Sequence, residues 1–339
     1  MPTPRSVAQS ADWLAHRFEE ATDRIQFRLV TREMHARATF LTDEYLGAEA
    51  SPFVMSRAEA ISLAPQPAPT HFIFHSAFCC STMLARAFDL PGVSMGLKEP
   101  QILNDIVGWR LRGAPGPRVA ELIDHSLHLL ARPFAPHETS IIKPSNLLNG
   151  LAPAMLKLRP DANALFLRAP LPVFLRSIAK KGMDGRLWVR DLMAKQLKEG
   201  LIDLGFEQWD YLGLTDLQAA AVGWLAQQAL FQRMTAEFGD RIRTLDSETL
   251  LDRPDDALAA TTALFGVGLT PGQRADILAG PAFATNSKTG RTFTTAERGR
   301  GYADAATAHA DELEKVTIWA QAVAANAGVE LTTPSPLLV

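Results

Sequence analysis

Five short apolar runs recur along the middle of the chain: Phe72–His75, Val93–Leu97, Ser140–Lys143, Ala164–Arg168 and Ile242–Leu245. Each is too short for a helix and apolar enough to be buried on both faces, so each predicts a strand. The segments between them repeat at helical spacing. Thr82 to Phe88 follows the first run. Arg118 to Arg132 carries Val119, Leu122, Ile123, Leu127, Leu129 and Leu130. Leu151 to Lys157 and Leu171 to Lys181 are shorter. Thr215-Asp216-Leu217-Gln218 forms a capping box ahead of a stripe that reaches about Phe238 and includes Trp224 as a core residue. Thr294-Thr295-Ala296-Glu297 suggests another helix start, and Asp304 to Ala327 is strongly helical.

Strands separated by helices imply parallel pairing, because a parallel crossover needs about a dozen residues or more. The expected fold is α/β: a three-layer sandwich with a mainly parallel central sheet. The proline-rich Ser62 to Thr70 (SLAPQPAPT) reads as a connector. Ahead of it two helices and a strand are expected, with Ser56-Arg57-Ala58-Glu59 as a capping box. This divides the chain into an N-terminal α/β extension, residues 1–65, packing on a main domain, residues 66–339.

Composition narrows the partners. Of 339 residues, 47% are hydrophobic and 21% charged, and the net charge is −3. Such a balance suits a globular core and gives no reason to expect nucleic acid or an anionic membrane. Met1 to Ala15 holds no apolar run of signal-peptide length, and no stretch has the length of a membrane span. Cys79 and Cys80 are the only cysteines. As neighbours they cannot staple distant parts of a fold, and a cytoplasmic setting is expected. The histidines are scattered, with His125 and His128 alone on a helix, so no metal site is expected.

Ligands of parallel sheets sit beyond the carboxyl ends of the strands. Here those ends are His75, Lys98-Glu99, Lys143 and Arg168. His75 leads into Ser76-Ala77-Phe78-Cys79-Cys80-Ser81-Thr82, a turn of mostly small residues opening a helix. That is the layout of a phosphate-binding loop, in which backbone N–H groups meet an anion. The usual glycines and lysine are replaced by His75, Cys80 and Ser81. A small-residue turn without a ligand fits the same letters. Lys98 and Glu99 supply either a charge and a general base or a surface ion pair. Arg168 closes a buried strand and needs an anion, either a phosphate or an Asp or Glu partner. The thiols are either acidified by the helix N-terminus or simply small. Lys180, Lys181, Arg186 and Arg190 with Trp188 form a basic patch that covers a nucleotide or faces water.

Taken together these pieces resemble the sulfotransferase superfamily, with its P-loop NTPase-like topology. The family's Arg/Lys-Ser-Gly-Thr-Thr loop is similar to Phe78-Cys79-Cys80-Ser81-Thr82. Its later phrase looks like Lys143-Pro144 followed by Arg159-Pro160, Arg168-Ala169-Pro170 and Ser177. Another resembles Leu245-Asp246-Ser247-Glu248 with Asp252-Arg253-Pro254 and Phe265-Gly266, and Asn286-Ser287-Lys288 looks like a late Ser-Lys segment. The resemblance spans about residues 71 to 325 and implies transfer of a sulfonate from PAPS (3′-phosphoadenosine-5′-phosphosulfate), leaving PAP, to a hydroxyl of a small molecule or glycan, with no metal. It places the 5′-phosphosulfate on Ser76, Ala77, Phe78, Cys79, Cys80, Ser81 and Thr82. The 3′-phosphate falls to Arg168 with Ser177. The Arg168-to-Ser177 interval is nine residues where the family has about eight, which brings Arg176 into reach instead. Glu99 is the implied base, with His75 its rival, and Lys98, Lys143 or Lys288 replaces the missing loop charge. A P-loop small-molecule kinase and a non-catalytic binding protein of the same fold are the alternatives.

Overall fold

The residues ahead of the connector form three strands rather than one. In the computed structural model, which describes residues 1–47, 51–285, 299, 307–332 and 334–338, β1 (Trp13–Glu19), β2 (Arg24–Leu29) and β3 (Phe53–Ser56) pair antiparallel in that order. Short helices Pro4–Gln9, Arg32–Arg37, Asp43–Leu46 and Arg57–Leu63 flank them. The expectation of two helices and a strand is thereby corrected. Its cause is local: the register shifts between Ala15 and Arg17, and both His16 and Arg28 are buried. A bulge and inward polar residues erase the period-two alternation by which a half-buried strand is recognised. The Ser56 hydroxyl accepts the Glu59 N–H, as the capping box predicts.

Beyond residues 64–69 the five apolar runs form one parallel sheet. Its strands are β4 (Thr70–His75), β5 (Ser94–Lys98), β6 (Thr139–Lys143), β7 (Ala164–Arg168) and β8 (Ile242–Asp246), in the order β5-β6-β4-β7-β8. The register sets Lys98 beside Lys143 and Arg168 beside Asp246. The chain after β4 crosses to one side of it, then returns to the other, so the strand ends around β4 bound a crevice.

Alternating side chains feed two cores. Ile73, Ile141, Leu165, Leu167 and Leu245 meet the helices Ser81–Ala87, Leu171–Lys180, Gly182–Lys198 and Ala310–Ala327. Phe72, Phe74, Leu97, Ile142 and Phe166 meet the N-terminal strands and the helices Gln101–Leu111 and Gly116–Leu130. The helix Asp216–Phe238, opened by the predicted Thr215 capping box, gives its first half, with buried Trp224, to one core and Leu230 and Phe231 to the other. The helix starts at Thr294 and Asp304 fall outside the described residues. No described helix is long and apolar enough to cross a membrane.

Candidate active site

The turn after β4 is built from left-handed backbone without glycine. Ala77, Phe78 and Cys80 have φ of +73°, +53° and +62°, a region that costs an L-residue roughly 1–2 kcal/mol each. Hydrogen bonds from both neighbouring strands hold it. Ser76 N–H donates to Leu167 O at 3.1 Å, and Ser76 Oγ accepts the Ala169 N–H at 3.0 Å. The His75 ring lies across the turn: Nδ1 accepts the Ala77 N–H at 3.1 Å, and Nε2 faces Pro144 O at 3.1 Å. The helix Ser81–Ala87 then carries Ser81 and Thr82 in its first turn.

Glu99 reaches this turn from the end of β5. It too is left-handed, at φ +51°, and the proline after it disfavours the right-handed helical region. Its N–H donates to Lys143 O at 2.7 Å. Its Oε1 accepts from Lys143 Nζ and lies 3.8 Å from His75 Nε2. Lys143 is fully buried, and its Nζ is 5.0 Å from the centre of the Phe40 ring. A buried ammonium requires an anion, and Glu99 is that anion.

These groups line one cavity of about 360 Å³. Its floor is His75, the turn from Ala77 to Thr82, Glu99 and Lys143. Phe40, Trp188 and the buried Gly185 also line it, and the exposed Lys181 and Asp184 stand at its rim. Asn146 completes the lining, with its Nδ2 buried and without a hydrogen-bond partner among the described residues. Phe40 and Asn146 carry no recognisable motif; they arrive from the N-terminal segment and from the 3₁₀ turn Asn146–Leu151. Another cavity, of about 390 Å³, lies at the far end of the Ser81–Ala87 helix beside Ala36, Arg86, Asp89 and Ile277, and His75, Glu99, Lys143 and Arg168 do not line it.

The remaining candidates lie elsewhere. Lys98 alternates to the opposite side from Glu99, and its Nζ donates to His35 O at 2.5 Å and Ala36 O at 3.3 Å. Burial pulls its pKa down to about 8. The expectation that Lys98 projects beside Glu99 at the loop mouth is therefore corrected. Arg168 donates to Asp246 Oδ1 at 2.7 Å and Leu331 O at 2.9 Å, with its guanidinium 5.5 Å from the Trp224 ring centre. Its burial is thus matched by a carboxylate of the adjacent strand. Ser177 Oγ donates to Val173 O, and Arg176 Nε to Pro172 O; neither lines the cavity. Lys288 lies outside the described residues. Of the basic patch, Arg186 pairs with Glu312 and Arg190 with Asp216, while Lys181 reaches the cavity rim. Burial pushes the Cys79 thiol pKa up, against the pull of Lys143, the reverse of what a reactive cysteine needs.

No protein-family model matches the chain, and no curated protein matches it. Among solved structures it is similar to the sulfotransferase STF9 from Mycobacterium avium, at 15% identity over 72% of this chain and 77% of that one, TM-score 0.43. It is also similar to the sulfotransferase domain of the curacin biosynthetic pathway, at 13% identity over 79% and 100%, TM-score 0.44. A third is the sulfotransferase domain of the Synechococcus PCC 7002 olefin synthase, at 14% identity over 69% and 83%, TM-score 0.42.

Proposed function

We propose that this protein transfers a sulfonate from PAPS to a hydroxyl of a small-molecule or glycan acceptor. One observation carries it: a glycine-free strand-to-helix turn, a carboxylate and a buried lysine converge on one cavity at the carboxyl edge of a parallel sheet. The residues at the turn suit the phosphosulfate end. Ser81 and Thr82 bring hydroxyl donors, Lys143 brings charge, and the Asn146 amide, which lines the same cavity, brings N–H donors.

Glu99 takes the acceptor's proton as the acceptor oxygen bonds to sulfur and the bond from sulfur to the bridging phosphate oxygen breaks. Protonation of Glu99 loosens its hold on Lys143, whose charge then meets the negative oxygen left on the phosphate. Positioning and electrostatics supply most of the rate in such transfers. Arg168 contacts the 3′-phosphate only by leaving Asp246, so an Arg168→Met variant with unchanged PAP affinity removes it from the site.

Calorimetry with PAPS and with PAP is the direct test, with micromolar binding of both expected. Absence of binding up to millimolar concentration ends the assignment. A thermal-shift panel separates the alternatives: stabilisation by ATP only with Mg²⁺ points to a kinase, and no shift with any nucleotide to a non-catalytic fold.

A further inference from the structure

Both ring nitrogens of His75 are committed to backbone. Nδ1 accepts the Ala77 N–H at 3.1 Å, so the proton sits on Nε2, which donates to Pro144 O at 3.1 Å. The His75 carbonyl accepts Asn149 Nδ2 at 3.0 Å. One residue thereby ties β4, the turn, the end of β6 and the 3₁₀ turn behind it. An Asn or Asp that accepts the N–H two residues ahead builds an Asx-turn; here an imidazole does so, at the first of three left-handed, non-glycine positions.

We propose that His75 is a positioning residue that stands in for the absent loop glycines by clamping the turn in its left-handed form, and that it is not the base. A base at Nε2 would have to take up a proton where one is already donated, and Nδ1 is occupied by Ala77. The clamp acts on the pocket of the proposed sulfonate transfer and rests on it for its catalytic consequence, whereas its effect on the turn needs no ligand.

Cys79 and Cys80, the only cysteines of the chain, both lie in the turn, and Cys79 is 1% exposed. Alkylation of the ligand-free protein therefore reads the clamp. In the wild type Cys79 reacts slowly. His75→Ala speeds its alkylation at least tenfold. His75→Asn, whose Oδ1 takes the place of Nδ1, stays within threefold of wild type and keeps turnover within severalfold. Nitrogen-15 spectra of the wild-type histidines, which need no variant, show His75 protonated on Nε2 alone. Wild-type alkylation in His75→Ala overturns the clamp, as does a protonated Nδ1 at neutral pH. Lost turnover in a normally protected His75→Asn restores His75 as the base. A protein that fails to bind PAP leaves the alkylation and the spectra standing, so the two failures are distinguishable.

Discussion

Glu99 and Lys98 are neighbours with opposite fates. Strand alternation sends Lys98 beneath the His35 carbonyl, while the left-handed kink before Pro100 turns Glu99 over β6 onto Lys143. Glu99→Gln keeps the side-chain shape, removes the proposed base and leaves Lys143 a neutral amide oxygen in place of its carboxylate. Turnover should fall by about 10²–10⁴-fold, with PAP affinity within threefold of wild type by calorimetry. His35 makes a separate prediction. Both its ring nitrogens are buried without hydrogen-bond partners among the described residues, and burial, with Lys98, Arg32 and Arg132 nearby, pushes its pKa down to about 3 from 6.5. The unfolded chain then binds a proton that the folded chain refuses, so stability is lost as pH falls from about 6.5 towards 3. His35→Phe should move the acid-unfolding midpoint to lower pH, read by circular dichroism; an unmoved midpoint shows that other groups set it.

At the scale of elements, the turn and its helix show what was legible and what was not. The strand, the turn and the helix start follow from the apolar run and the small residues after it. The strain does not, because nothing in Ala-Phe-Cys-Cys marks three left-handed residues; they are imposed by bonds from Leu167, Ala169 and His75. Cys80, at φ 62° and ψ 20°, sits in the left-handed region that glycine adopts without the Cβ penalty. Cys80→Gly should stabilise the fold by about 0.5–1 kcal/mol, measured by urea denaturation, and a loss of stability would show that the Cys80 side chain packs well enough to outweigh its backbone. The missed N-terminal strands have a related cause, since a bulge at His16 and buried Arg28 hide the alternation.

At the scale of the whole molecule, buried arginines hold distant segments together. Arg132, 2% exposed, donates to Leu129 O, Val7 O, Ala8 O and Trp13 O. It joins the helix that ends at Leu130 to the first strand region. Arg132→Ala leaves those carbonyls unpaired and should destabilise by about 3 kcal/mol or more. Limited proteolysis should then cut first within residues 1–30; uniform cutting along the chain would contradict a local release. Arg168 has the same character. Its guanidinium is held by Asp246 and by backbone near residue 331, a union of segments far apart in sequence that no motif announces.

The sequence by itself determined the five parallel strands, the helices between them and the loop after His75, because periodicity and short-range turn chemistry are local properties. It also determined that polar residues end the strands, and so where a pocket would lie. Only the tertiary structure decided which of them share it. Glu99, Lys143 and His75 meet because β5, β6 and β4 end side by side. Lys98 and Arg168 find protein partners in elements remote along the chain, and a side chain's burial and charge pairing are set by whatever covers it, which no local window contains.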